Sequence, residues 1–473
     1  MNEQENVKRY FHSVRLIEEK CKGCVNCIKH CPTEAIRVRD GKAQIVELRC
    51  VDCGECIRNC PNQAKTAVAD TLASLADYRY KIALPAPALY GQFRGGIRPE
   101  KIIAGLMSLG FDDVYEVAYA AEIVSARIRE ILRDPDRTKP LLSSACPAVV
   151  RLIQVRFPGM IGNIIPVASP MRVAARMARA QKSAELGIPP EEIGLFFITP
   201  CPGKVSAIAD PVGYRDKCID GAIPIRDVFG KLHSFIYSAT DEQVKDVIRH
   251  ASGVGVGWAR SGGEVLSIGA KRHISVDGIH NVIQIMEEID RGKLLDMDYI
   301  ELQACVGGCV GGVLAVENPF ISRRRVRDIA SIGGASPTEE EIAARQAELL
   351  RQVDPHMLDF DRQIEPRPTL SLDPDMTVAI QKMEQLEKIV DSLPSLDCGS
   401  CGAPSCRTLA EDIVRGLAVE TDCVFKLRER VQVLAEELMT LAEKVPPAMG
   451  TQQKARELQE AIGAPRADSE PEQ

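Results

Sequence analysis

The placement of seventeen cysteines constrains this chain more than any other feature. Eight lie between Cys21 and Cys60, four between Cys398 and Cys423, and five are spread from Cys146 to Cys309. Disulfides do not persist in a reducing compartment, where clustered cysteines bind metal or do redox chemistry. The first eight repeat the pattern C-x2-C-x2-C-x3-C-P. Cys21, Cys24, Cys27 and Cys31 precede Pro32, and Cys50, Cys53, Cys56 and Cys60 precede Pro61. A tight loop of this kind brings three thiolates to one face of a cluster, so the fourth must come from elsewhere. Tetrahedral thiolate sets also suit zinc, although zinc sites usually arrive as two separated C-x2-C pairs.

Composition narrows the class. The 473 residues suffice for about three domains, and 45% hydrophobic residues supply a sizeable core. A net charge of −7 and a pI near 5.7 offer no general attraction to nucleic acid or anionic membranes. No run approaches the ~18 apolar residues of a membrane-spanning helix. The start, MNEQENVKRYFHS, has no apolar stretch of the signal-peptide kind. The expected place is the cytoplasm, with neither nucleic acid nor membrane as partner.

The duplicated pattern, over roughly the first 78 residues, resembles bacterial two-cluster ferredoxins, in which the fourth cysteine of each run ligates the other cluster. The resemblance implies one 4Fe–4S cluster on Cys21, Cys24, Cys27 and Cys60, and a second on Cys50, Cys53, Cys56 and Cys31. Two clusters form a short wire, so the chemistry is expected further along the chain.

At the other end Cys398, Cys401, Cys406 and Cys423 form C-x2-C-x4-C-x16-C. The segment resembles the small four-cysteine iron–sulfur domain of some electron-transfer and corrinoid-linked proteins. Zinc also suits this spacing; a 4Fe–4S cluster is the preferred reading. Gly399, Gly402 and Pro404 shape the loop, and a helix is expected from Arg407 to Leu417. Downstream, Leu427, Val431, Leu434, Leu438, Leu441 and Val445 alternate spacings of four and three, an a/d seam of about three heptads. The seam fits a helix packed on its own domain, or a homodimer or partner contact. The tail ending GAPRADSEPEQ is polar and expected to be disordered.

Between about Lys81 and Ala335, strand-like runs such as KIALPAPA and GLFFITPC alternate with amphipathic helices such as RPEKIIAGLMSLG. That pattern predicts an α/β domain with sites at strand ends. Its cysteines sit in SSACP around Cys146, TPCPGK around Cys201 and ELQACVGGCVGG around Cys305 and Cys309. Cys218 lies outside every motif and reads as a buried free thiol. The seven histidines show no ligand spacing and no tie to the cysteines. Arg323, Arg324, Arg325 and Arg327 read as a solvated or ion-paired face.

The three motifs, in that order and at that separation, resemble the H-domain of FeFe-hydrogenases, as do ALPAPA, LGFDDVYEVAYAAEI, SPM near Met171 and VDGIHNVIQIMEEIDRGKLLDMDYIELQACVGGC. The resemblance implies that Cys146, Cys201, Cys305 and Cys309 hold a 4Fe–4S cubane. Cys309 would bridge to a diiron subsite bearing CO, cyanide and an azadithiolate, the whole being an H-cluster. Lys204 matches the lysine that contacts a cyanide ligand, and Gly307, Gly308, Gly311 and Gly312 allow close backbone approach.

Departures from the family are equally specific. The cysteine that passes protons to the bridging amine is replaced by Ala145, and a methyl group carries no proton. Two methionines that pack on the diiron site are replaced by Thr199 and Gln303. After AAEI, where acidic residues of the proton path are expected, VSARIREI offers only Glu130, while Glu122 is retained in type. With the carboxy-terminal four-cysteine domain, these departures resemble the group of FeFe-hydrogenases assigned a sensory role.

The resulting expectation is a two-cluster ferredoxin-like domain over 1–78, an α/β H-cluster domain over 79–360 and a linker over 361–375. A small α-helical four-cysteine domain with its terminal helix follows over 376–445, then a disordered tail over 446–473. The expected activity is reversible H2 oxidation and proton reduction, slowed by Ala145 and serving hydrogen or redox sensing. Three 4Fe–4S clusters lie outside the active site. Expected partners are H2 and protons, a ferredoxin or signalling protein, and hydrogenase maturation factors. Two alternatives stand beside it: an efficient hydrogenase with another proton route, and an electron-carrier scaffold lacking the diiron unit.

Overall fold

A computed structural model of the chain describes residues 10–331, 337–369, 371–444 and 460–461. Val445 of the seam and all of the tail except 460–461 lie outside the described residues. Two compact units, Met1–Leu370 and Ser371–Gln473, divide the chain.

The first unit opens with β1 (Val14–Leu16), β2 (Ile36–Arg39), β3 (Lys42–Ile45) and β4 (Lys65–Ala67), paired antiparallel as β1 with β4 and β2 with β3. The β2–β3 hairpin turns on Asp40-Gly41, both at positive φ, the Asp-Gly pair that a tight hairpin favours. Each cysteine run closes in one helical turn, Asn26–Lys29 and Glu55–Arg58.

The rest is an α/β layer structure around two parallel sheets. One has the order β6-β5-β8-β9, from β5 (Tyr80–Pro85), β6 (Asp113–Val114), β8 (Ile193–Thr199) and β9 (Gly221–Pro224). The other runs β10-β11-β7, from β7 (Leu141–Leu142), β10 (His273–Asp277) and β11 (Tyr299–Gln303). The run IGLFFIT forms central β8 with all seven residues buried, as expected of a parallel strand covered on both faces. The helix expected from RPEKIIAGLMSLG spans Pro99–Ser108, and KIALPAPA supplies most of β5.

The ferredoxin-like module is locked to this layer by one buried ion pair. Arg151, fully buried, donates to Asp52 Oδ2 at 2.8 Å and to the carbonyls of Phe11, Ser206 and Asp210. Asp52 Oδ1 accepts the backbone N–H groups of Ser13 and Val14. Residues 361–369, expected as linker, lie on the first unit: Arg367 donates to the Cys50 carbonyl at 3.0 Å, and Thr369 to Val155. No described helix is long and apolar enough to cross a membrane.

The second unit holds the helices Met376–Ser392, Cys406–Val414 and Val424–Glu443. Its small core gathers Leu372, Leu386, Ile389, Leu393, Ala403, Leu409, Ala410 and Cys423. The helix expected over Arg407–Leu417 ends instead at Val414. Gly416, at φ +72, adopts the left-handed conformation that terminates helices.

Candidate active site and its iron–sulfur wire

The four central cysteines all follow the carboxyl ends of parallel strands, where open α/β sheets place their sites. Cys146 comes after β7, Cys201 after β8, and Cys305 and Cys309 after β11. Cys146 and Cys201 each cap a helix, Pro147–Arg156 and Pro202–Ala209, whose first residue is proline. A thiolate there faces the positive end of the helix dipole. The Cys309 loop folds tightly on itself. A Cβ on Gly308 (φ +94) would meet Gln303 Oε1 at 2.4 Å, and one on Gly312 would meet the Pro200 carbonyl at 2.2 Å. These two glycines therefore serve contacts within the protein.

Lys204 is 9% exposed, and its Nζ lies 3.7 Å from Cys309 Sγ. Burial works against its ammonium, but Cys309, Cys201, Cys146 and Cys305 together outweigh that and hold its pKa above the ordinary value. Burial, then Cys309 and Cys146, push Cys201 up to about 11 against the pull of Lys204. Four half-buried thiols beside one ammonium make a good set of iron ligands, since metal binding displaces the protons.

Beside them is a cavity of about 50 Å³ lined by Ala145, Cys146, Lys204, Gln303, Cys309 and Trp258, among others. A single water needs ~10–15 Å³. Among the described residues Gln303 Oε1 is buried without a hydrogen-bond partner. The thiols and the ammonium fit a cubane with an attached anionic metal unit. Thr199 does not join them. Its hydroxyl donates to the Cys201 carbonyl at 3.1 Å and accepts the Cys201 N–H at 3.3 Å, so it braces the ligand loop.

Two buried carboxyls stand behind the site without any signal in the cysteine motifs. Glu264, 1% exposed, accepts from Ser143 Oγ at 2.9 Å and Tyr299 OH at 2.5 Å. Glu301 accepts the backbone N–H groups of Gly262 and Val265 and the exposed Ser275 hydroxyl. Burial raises both, and the charge of Glu301 raises Glu264 further. Glu301, with two backbone donors, takes the charge, while Glu264 keeps the proton. Ser143 Oγ in turn lies 3.4 Å from Ala145 N. Only folding brings Glu264 to Ser143, 121 positions away.

The residues of the usual proton path are otherwise engaged. Glu122 is buried and paired with Arg345 at 2.7 Å, and Glu130 pairs with Arg127. Cys218 is buried, and Arg324 and Arg325 pair with Asp328 and Glu317.

In the amino-terminal module Cys31, Cys50, Cys53 and Cys56 line one small cavity. Cys27 lies within electrostatic reach of Cys24, Cys21 and Cys60. The fourth cysteine of each run thus sits with the other run. The expectation that no histidine is tied to the cysteines needs one correction. His12 has its ring nitrogen, with Cys50 Sγ and an Asp52 oxygen, inside a 4.8 Å group, because the strand entering the module passes over the second run. From that run Arg58 donates to the Gly311 carbonyl at 2.7 Å; burial and the other thiols push Cys305 well above the ordinary thiol value, and the Arg58 charge offsets part of that rise. In the second unit Cys401 lies within reach of Cys398 and Cys423, and Cys406 opens a helix with its N–H on Asp397.

Residues 79–272 and 267–313 match the family described as iron only hydrogenase large subunit, C-terminal domain. The chain belongs to this family. Residues 13–61 match a 4Fe–4S dicluster domain and 393–425 an Fe–S cluster family, so this hydrogenase-family chain is an iron–sulfur protein at both ends as well. The periplasmic Fe hydrogenase large subunit of Nitratidesulfovibrio vulgaris is 26% identical over 64% of this chain and 86% of its own length. The NADP-reducing hydrogenase subunit HndD of Solidesulfovibrio fructosivorans is 24% identical over 63% of this chain, which spans 56% of that protein. A solved FeFe-hydrogenase from Chlamydomonas reinhardtii is 17% identical with a TM-score of 0.48, covering 62% of this chain and 98% of the other.

Proposed function

We propose that this hydrogenase-like oxidoreductase is a slow FeFe-hydrogenase that reports hydrogen or redox state to a partner. The observation that carries the reading is the meeting of four half-buried thiols and buried Lys204 beside a cavity whose wall at position 145 is a methyl group. Cys146, Cys201, Cys305 and Cys309 would hold the cubane of an H-cluster, with the Lys204 ammonium donating to a cyanide ligand. When bound, that group supplies heterolytic cleavage and formation of H2. Ala145 cannot donate or accept a proton, and losing a positioned donor typically costs ~10²–10⁴ in rate. Glu264 and Ser143 hold a proton just behind that position, which supports slow turnover over none. The two amino-terminal quartets and the carboxy-terminal quartet would each hold a 4Fe–4S cluster. A ferredoxin or signalling protein would take the output, and maturation factors would load the site.

Protein matured with hydrogenase assembly factors is expected to show infrared bands of metal-bound CO and cyanide. Their absence would favour a scaffold that holds only the cubane. Ala145→Cys in the matured protein should raise H2 turnover by about 10²-fold or more. An unchanged rate would mean that proton delivery at this position does not limit the enzyme.

A further inference from the structure

The helix Val424–Glu443 is twenty residues long and buries none of them. Five described seam residues and Val424, one heptad before Val431, repeat as Val424, Val431 and Leu438 at one heptad position and Leu427, Leu434 and Leu441 at the other. All six are between 40% and 66% exposed. The core of the second unit closes at Cys423, directly before the helix begins, so the stripe adds nothing to that core. A continuous apolar stripe of this length marks an interaction surface.

The charges beside the stripe select its occupant. Arg430 and Glu437 flank one side, while Ala435 and Ala442 follow Arg428 on the other. Lys426 pairs with Glu429 and Glu436 accepts from Gln432 within the helix. Among the described residues neither Arg430 nor Glu437 has an ion-pair partner, and seven positions apart they do not meet on one helix. A parallel pair would set Arg430 beside Ala435 and Glu437 beside Ala442, and make no ion pair. An antiparallel pair with Val431 opposite Leu434 also sets Leu427 opposite Leu438 and Val424 opposite Leu441. It brings Arg430 to Glu437 of the second copy, twice by symmetry.

We propose that the terminal helix pairs antiparallel with the same helix of a second copy of this chain. The two Cys423 ends then stand at opposite ends of the rod, about 29 Å apart along its axis at 1.5 Å per residue. Each carboxy-terminal cysteine quartet is thereby left facing outward, open to its own partner.

Sedimentation equilibrium of the full-length iron-loaded protein should show a concentration-dependent dimer. Leu434→Glu should shift it to monomer, while Gln432→Glu, on the outer face, should not. Arg430→Glu and Glu437→Arg singly should each weaken association by about tenfold, two ion pairs becoming two repulsions. The double charge swap should restore it. All four positions are exposed, and far-UV circular dichroism with iron content verifies that each variant folds. A chain that stays monomeric at every concentration overturns the proposal. So does a dimer in which the double swap fails to recover. None of these readouts involves the active site, so their failure leaves the proposed function standing.

Discussion

At position 145 a methyl group lines the cavity, and Ser143 Oγ lies 3.4 Å from the Ala145 backbone nitrogen with Glu264 behind it. Glu264→Gln keeps the hydrogen-bonding shape but removes the proton exchange. It should lower H2 turnover of the matured protein by about 10²-fold while leaving the CO and cyanide bands in place. An unchanged rate would take Glu264 out of proton delivery. The same carboxyl has a thermodynamic signature. Its folded pKa is raised by burial and by Glu301, so the folded state holds the proton more tightly than the unfolded one. The stability this contributes is fully present below the unfolded carboxyl value of about 4.3, and it is lost as pH rises through the raised folded value. Denaturant midpoints measured from pH 4 upward should therefore decline in the parent and flatten in Glu264→Gln. Thr199 and Gln303 diverge at this scale. Both are polar residues two positions before a ligand cysteine, yet the Thr199 hydroxyl is spent on the Cys201 backbone and the Gln303 oxygen is unsatisfied beside the cavity.

Among the elements, the strand-end loops carry the site, and they meet at backbone distance. Gly312→Ala would drive a Cβ into the Pro200 carbonyl and part the Cys309 loop from the Cys201 loop. The expected outcome is loss of iron from the central quartet with the amino-terminal clusters kept, seen as retained ferredoxin-type EPR signals at lower iron content. Full iron content would show that the loops yield without opening. The helical turn Glu55–Arg58 joins the wire to that loop, because Arg58 reaches Gly311 and favours the Cys305 thiolate. Arg58→Gln withdraws a positive charge, so reduction of the neighbouring cluster should move to more negative potential in an EPR-monitored redox titration. The terminal helix was recognisable from its heptad spacing, but that spacing fitted two occupants. The exposure of Val424, Leu427, Val431, Leu434, Leu438 and Leu441 and the charges beside them are what the antiparallel proposal rests on.

Across the whole molecule, one buried pair couples the ferredoxin-like module to the α/β layer. Arg151→Met fills the space but leaves Asp52 buried and uncompensated, which should cost ~3–5 kcal/mol. Guanidinium unfolding of the reconstituted protein, followed by cluster absorbance, would measure it; a change within ~1 kcal/mol would mean that water reaches Asp52. The pair belongs to no motif, since Asp52 and Arg151 are 99 positions apart. The segment 361–369 has the same character. It reads as a polar connection, yet Arg367 and Thr369 hydrogen-bond into the first unit.

The sequence by itself determined the iron–sulfur character, the α/β class and the grouping of the cysteines into quartets. Cluster ligation is written in short local spacings, and parallel strands in continuous apolar runs such as IGLFFIT. It also identified Ala145, since that position is defined by adjacency to Cys146. The tertiary structure alone decided which groups stand behind the ligands: Glu264 and Glu301 near the site, Arg58 between the quartets, Arg151 across the module boundary, and the two fates of Thr199 and Gln303. The physical reason is range. A thiolate quartet is set within a few residues of backbone, whereas a buried charge is tolerated only where distant segments supply its partners, and those meet only when the chain has folded.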